Sequence, residues 1–573
     1  MEKITYYQPS LESLKRELDN YNKFINKDHV LFKFLVTYLA ASVTENIEIP
    51  LPKMFRKFKR ESLQRNGEKL IGQILDELHY LDNFDISSTF TLKNSGIKQL
   101  INLINNELDR KIKNELALYR KENLLLNLTL LASVLSKITM FLNKDYVESN
   151  DAIDELIKCL NSVLQYNIYY IFDPRVFLGE LKVTLEHVLN RLLLTDEKEA
   201  AQDSGSLEID CTGLFNLFEL FYAKILLDSY TDFLPFINTN ERDKISFSKE
   251  NGISFPSNVL EKFSKYIFDT RDEEVTVGDK KIEVIMEYLQ KIKNISPDIL
   301  YNYLSQPDDK RAVKLNNNYL SVCEKNLIIQ DFSCNQSLPI DNTKLIIENL
   351  TLNNENFYKS QPTGSVIGEP NMRLFRAPIL EFSKIDILPT YSFFESAKYF
   401  PYRILRTDIL NKRNGKAWTK LIQENFDERL LPELKAIAET YDSECKVNYY
   451  LNQSAITEIK TLVKKHSLME EVDLVFRHDN TLFIYDLKNY GLARNVKQCR
   501  SIVDSKIYGE FAKLNKLKCN ILSEKLLFER EFGYFKDIKV GVITVNTTPY
   551  KYFRDGRVYS IPELRKNPNL ILK

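Results

Sequence analysis

The chain has 573 residues, too many for one hydrophobic core, so two or three domains are expected. Apolar residues make up 44% and charged residues 28%, ordinary globular values that exclude wholesale disorder. Lys+Arg and Asp+Glu both number 79, but residues 401–573 hold 31 basic against 22 acidic side chains, leaving 48 against 57 before them. A basic C-terminal part on an acidic remainder is the pattern of an electrostatic footprint for a polyanion.

The seven cysteines are scattered and form no CxxC pair, which argues against a disulfide framework and a thiolate zinc site and for a reducing compartment. With five histidines in all, a histidine-rich metal centre is excluded too. No GxxxxGK[ST] loop occurs, so ATP chemistry has no carrier in this chain. The opening MEKITYYQPSLESLKREL has no apolar core of signal-peptide type. A cytoplasmic protein without membrane association is expected.

Residues 1–240 read as a helical domain. Apolar residues recur at three- and four-residue spacing, as at Leu31, Leu35, Tyr38 and Leu39, and Gly and Pro are sparse. The run Leu124 to Leu142, LLLNLTLLASVLSKITMFL, reaches membrane-spanning length. Asn127, Lys137 and several hydroxyls inside it favour a buried helix instead. Leu214–Leu227, interrupted by Glu219 and Lys224, reads the same way. Asp196–Ser206 is a polar break between helices.

Residues 241–400 read as a mixed α/β linker or accessory domain. Asn342–Met372 passes from a strand-like run into a polar stretch bearing Pro and Gly, and Ala377–Phe400 suggests a short strand, a turn at Pro389 and a helix. Residues 401–573 have a clearer order. Gly415 to about Tyr441 is helical in pattern, Cys445–Asn452 is strand-like, and QSAITEIKTLVKKHSLM holds a short helix. A hairpin, a helical stretch from Asn495 to about Phe532, the β-branched strand KVGVITV and VYSIPEL follow. The whole is α+β, a large helical part followed by an α/β domain with a central mixed sheet.

The hairpin, EEVDLVFRHDNTLFIYDLKNYG, carries the chemistry. Asp479-Asn480 tolerates positive φ and predicts a two-residue loop between His478 and Thr481. In that register Asp473 lies opposite Asp486 and Glu471 opposite Lys488. Glu471, Asp473, Val475, Ile484, Asp486 and Lys488 share one face; Val472, Leu474, Phe476, Phe483, Tyr485 and Leu487 form an apolar, buried one. Opposed aspartates about 5 Å apart at Cβ repel and destabilise a bare sheet. A hard divalent cation resolves that conflict. Lys488 beside such an ion suits phosphodiester hydrolysis, since the ammonium can orient a water or offset developing charge.

Asp473, twelve intervening residues and Asp486-Leu487-Lys488 on the next strand, in this order of elements, resemble the PD-(D/E)xK (restriction endonuclease-like) nuclease superfamily over residues 410–565. The resemblance implies an Mg²⁺- or Mn²⁺-dependent nuclease. Asp473 and Asp486 would bind the metal, the Leu487 main-chain carbonyl would add a ligand, and Lys488 would assist the attacking water. An acid is expected on the first helix, but Thr419 falls where a glutamate is first sought; Glu424 or Glu428 could serve, with Glu424 favoured. Val472 replaces the frequent proline and Asp486 the commoner glutamate. Gln498, early in the following helix, occupies a region where related nucleases hold an extra polar residue, and Lys497, Arg500 and Lys506 could reach phosphates from there.

The functional expectation is an endonuclease with DNA favoured over RNA, the effector of a prokaryotic restriction or antiviral defence system. The N-terminal part would recognise a target or dock a partner protein, and a double-strand cut would call for a homodimer or partner. The alternative is a catalytically inactive nuclease-fold module that binds nucleic acid or scaffolds an assembly.

Overall fold

The computed structural model describes residues 4–9, 12, 14, 27–44, 63–78, 90–91, 94–142, 152–165, 174–196, 205–234, 245–248, 252–254, 261–263, 265–266, 269–270, 296, 298–315, 319–359, 362–363, 366–367, 373–405, 430–490, 493 and 496–573. The chain gathers into two compact units. One comprises Met1–Thr231, Thr239–Phe255 and Ile285–Ile409; the other comprises Asp232–Asn238, Pro256–Val284 and Leu410–Lys573. The stretch 241–400 is thus divided, with most of it joining the N-terminal helices.

The first unit is mostly helical. One long apolar helix, α1 (Lys121–Leu142), is buried from Asn123 to Ile138 and is long and apolar enough to cross a membrane by length and composition. Its polar residues are accommodated locally. The Asn127 amide donates to the Asn123 carbonyl at 2.9 Å, and Lys137 donates to the Tyr319 hydroxyl at 2.7 Å with the Asp154 carboxylate 2.9 Å away. A buried polar group so satisfied costs little, and the run is a core helix here. Leu214–Leu227 likewise lies in the largely buried helix Cys211–Phe233. Helix α2 (Pro174–Leu193) sends Lys182 to the Glu395 carboxylate, 2.7 Å from each oxygen.

A four-stranded mixed sheet completes this unit: β1 (Leu320–Glu324), β2 (Thr351–Leu352), β3 (Ile379–Glu381) and β4 (Ile385–Pro389), in the spatial order β1-β4-β3-β2. Two expectations are corrected. The run after Asn342 is the helix Ile340–Glu348, whose Thr343, Ile346 and Ile347 recur at helical spacing and are buried. Ala377–Phe400 holds an antiparallel strand pair, not one strand, with Pro389 ending β4 before helix α3 (Thr390–Leu405).

The second unit is built on five strands lying in chain order: β5 (Lys446–Tyr450), β6 (Glu471–His478), β7 (Thr481–Lys488), β8 (Asp537–Thr544) and β9 (Val558–Ser560). The first three are antiparallel and the last three parallel, so the sheet is mixed as expected. Leu474, Phe476, Phe483, Tyr485 and Leu487 form one core with Ile543, Val545, Ile561, Leu564 and residues of the helix 430–439. The short helix expected after β5 is Thr457–His466. The long helix expected from Asn495 to Phe532 is segmented: Val496–Arg500, a π-helical stretch Ser501–Ile507, α4 (Tyr508–Ser523) and Lys525–Phe532. Of the helix expected over 415–441, residues 415–429 lie outside the described residues, and 430–439 are helical.

Candidate functional site

The hairpin forms in the predicted register. Asp479 and Asn480 take φ of 47° and 60°, and the pairing runs from His478↔Thr481 to Leu474↔Tyr485. Left-handed φ at both loop positions gives a turn whose twist matches that of the strands. The apolar face is buried as expected, and Phe476 stacks on Phe483 with centroids 4.9 Å apart. On the opposite face Val475, Ile484 and Asp486 are buried, at 2%, 1% and 3% exposed, whereas Glu471, Asp473 and Lys488 are half-buried. β7 is therefore covered on both sides, and Asp486 is a carboxylate in a core position.

The backbone ladder recorded between β6 and β7 ends at Leu474↔Tyr485, one pair short of Asp473 and Asp486. There the Leu487 N–H donates to Asp473 Oδ2, so a side-chain oxygen takes the place of a main-chain acceptor. Within a strand a residue's N–H and C=O point the same way, so the Leu487 carbonyl faces the β6 side as well. On the other flank of β6, the pairing with β5 skips Asn448, opposite Asp473, which adopts φ of 48°. Both ladders thus give way at the level of Asp473.

Asp473 and Asp486 interact side chain to side chain. Lys488 Nζ lies 2.8 Å from each Asp486 oxygen; it donates to Oδ1, whereas Oδ2 is buried without an aligned hydrogen bond. Burial first, and then the contact with Asp473, pushes Asp486 up to about 6. Burial also raises Asp473, although the Asp486 contact and the Leu487 N–H pull it back. The two carboxylates are both raised by burial and share one contact, so they titrate as a pair. Burial pulls the Lys488 ammonium down, but Asp486, Asp473 and Glu510 outweigh it and its pKa is raised.

Asp473, Asp486, Leu487 and Lys488 are thus brought together. Glu424 and its alternative Glu428 lie outside the described residues. Among the described residues no cluster of three or more Asp, Glu, His or Cys side chains is arranged to hold a metal ion. The donors that do converge are two carboxylates and a carbonyl edge, a hard oxygen set that fits Mg²⁺, which binds through one or two carboxylates and keeps several waters. Lys506 is exposed and its ammonium sits 5.4 Å over the Tyr490 ring, two residues beyond Lys488. Gln498 is half-buried and Arg500 exposed in the turn Val496–Arg500, which also contains Lys497.

Two residues absent from the sequence reading belong to this neighbourhood. The Tyr490 phenol is raised by burial and by the charges of Glu510 and Asp486. Glu510, four residues after Lys506, is mostly buried and accepts from Lys513 at 3.1 and 3.2 Å. The four-residue spacing puts Lys506 and Glu510 on one helix face, but which face meets the sheet depends on the π-helical stretch before α4. Comparison with known protein families, curated proteins and solved structures finds no match for this chain.

Proposed function

We propose that the C-terminal unit is an Mg²⁺- or Mn²⁺-dependent nuclease of PD-(D/E)xK type, hydrolysing phosphodiester bonds of nucleic acid with DNA favoured. The observation that carries this reading is the Asp473–Asp486–Lys488 group, two coupled carboxylates and an ammonium held where both strand ladders give way. A fold gains nothing from burying that arrangement for itself: an apolar pair of similar volume would be neutral or more stable.

Asp473, Asp486 and the Leu487 carbonyl would hold the ion. When bound, it would polarise a phosphoryl oxygen and lower the pKa of a bound water. Any proton that the carboxylate pair holds would leave on loading. Lys488 would orient the attacking water or offset charge developing on phosphate. Lys506 and Arg500, with Lys497 and Gln498 of the same segment, would position the backbone of the substrate. The helical first unit would serve recognition or partner docking in a restriction or antiviral defence system, a reading that rests on architecture alone.

The test is direct. Purified protein is incubated with supercoiled plasmid, linear duplex DNA and single-stranded RNA, with Mg²⁺, Mn²⁺ or EDTA. Metal-dependent cleavage of at least one substrate is expected, with DNA cut before RNA. Survival of all three under every condition favours the non-catalytic scaffold, to which the direct Lys488–Asp486 ion pair would be suited.

A further inference from the structure

The first unit contains a second pair of opposed acids. Glu381 on β3 lies directly opposite Asp386 on β4, and Asp386 is in turn opposite Cys323 on β1. Phe382 N–H donates to the Ile385 carbonyl at 2.8 Å, which makes the next pair inward, Glu381–Asp386, a non-hydrogen-bonded one. At such positions Cα atoms are about 4.5 Å apart and side chains stand closest. Two carboxylates there repel, as the hairpin pair does.

The surroundings leave coordinating capacity unused. Asp386 is 3% exposed; its Oδ2 accepts from the Asn326 N–H at 3.2 Å, while Oδ1 is buried with no hydrogen-bond partner. Glu381 is partly exposed and is neutralised by Lys325, 3.3 Å away on a side chain that is itself solvent-accessible. The Tyr6 hydroxyl, close enough to feel the Glu381 charge, is also buried without a hydrogen-bond partner, its ring packed against Phe357 and Phe382. An orphaned carboxylate oxygen in a buried position is costly and calls for an occupant.

The donor set restricts what that occupant is. Cys323 is a single thiol beside two carboxylates, so oxygen donors dominate the set and a soft metal is disfavoured. Oxygen donors alone suit a hard ion. With two carboxylates, Mg²⁺ is favoured over Ca²⁺, because Mg²⁺ retains several waters whereas Ca²⁺ takes six to eight oxygen ligands.

We propose that Glu381 and Asp386 form a binding site for a hydrated divalent cation of the Mg²⁺ class, with Lys325 the internal counter-ion it displaces. This site does not depend on the nuclease reading. The test is Mn²⁺ titration of the full chain followed by electron paramagnetic resonance, with Asp473→Asn and Asp486→Asn together removing the hairpin pair. One ion should still bind in that background and be lost on adding Asp386→Asn. Glu381→Gln, at a partly exposed position, should also remove it and guards against an Asp386 variant that fails to fold. Lys325→Ala should tighten binding. No Mn²⁺ bound in the background protein, or binding unchanged by both Asp386→Asn and Glu381→Gln, overturns the proposal.

Discussion

Asp486 is the residue on which the account turns, and its raised pKa has a thermodynamic consequence. An unfolded aspartate titrates near 4, whereas in the fold this one is raised to about 6. The native state keeps a proton that the unfolded chain has released. The stability from this group is therefore full below about pH 4 and lost as pH rises through about 6. In EDTA, the unfolding free energy of the wild type relative to Asp486→Asn is expected to fall by on the order of 2 to 3 kcal/mol across that window. Urea unfolding of both proteins at several pH values measures it; a constant difference would mean that Asp486 titrates as an exposed acid. A second residue-scale expectation concerns Gly541, whose added Cβ would collide with the Tyr485 ring and crowd the Arg557 carbonyl at 2.9 Å. Gly541→Ala should lower stability by about 1 to 3 kcal/mol, the usual cost of overpacking, as read from a thermal or urea melt.

At the scale of elements, the hairpin was the most legible part of the chain because two independent signals agreed on it. Period-two alternation set which residues share a face, and Asp479-Asn480 supplied the turn that fixes the register. Asn480→Val, forcing a β-branched residue into left-handed φ, should cost about 1 to 2 kcal/mol or more while leaving the Asp473–Asp486 pair in place. Destabilisation with unchanged Mn²⁺ binding is the expected combination, and loss of binding would show the turn controls the site. Alternation could not reveal that Asp486 on the acidic face would also be buried, since that depends on what packs over β7. Nor could it reveal Tyr490 and Glu510. Their place depends on α4 and the π-helical stretch Ser501–Ile507, an interruption that no 3.6-residue periodicity announces. The run after Asn342 differs for a related reason, since a short apolar stretch fits helix and strand alike.

On the scale of the whole molecule, the charge asymmetry and the two-unit organisation bear on different properties. The basic excess of residues 401–573 predicts that nucleic-acid binding weakens as salt rises, by counterion release; filter binding across a salt series measures it, and salt-independent affinity would contradict a phosphate-based footprint. The first unit is tied internally by buried ion pairs, including Lys182–Glu395 and Arg373–Glu186, the latter at 3.0 Å. Glu395→Ala strands the Lys182 charge and should cost about 3 to 5 kcal/mol, visible as a lowered melting temperature. The central claim, that Asp473, Asp486 and Lys488 are catalytic, is tested most directly by single-turnover cleavage of whichever substrate the wild type cuts, comparing wild type with Lys488→Ala. The account predicts a rate lower by roughly a hundredfold or more, with circular dichroism unchanged; cleavage by Lys488→Ala at the wild-type rate would contradict it.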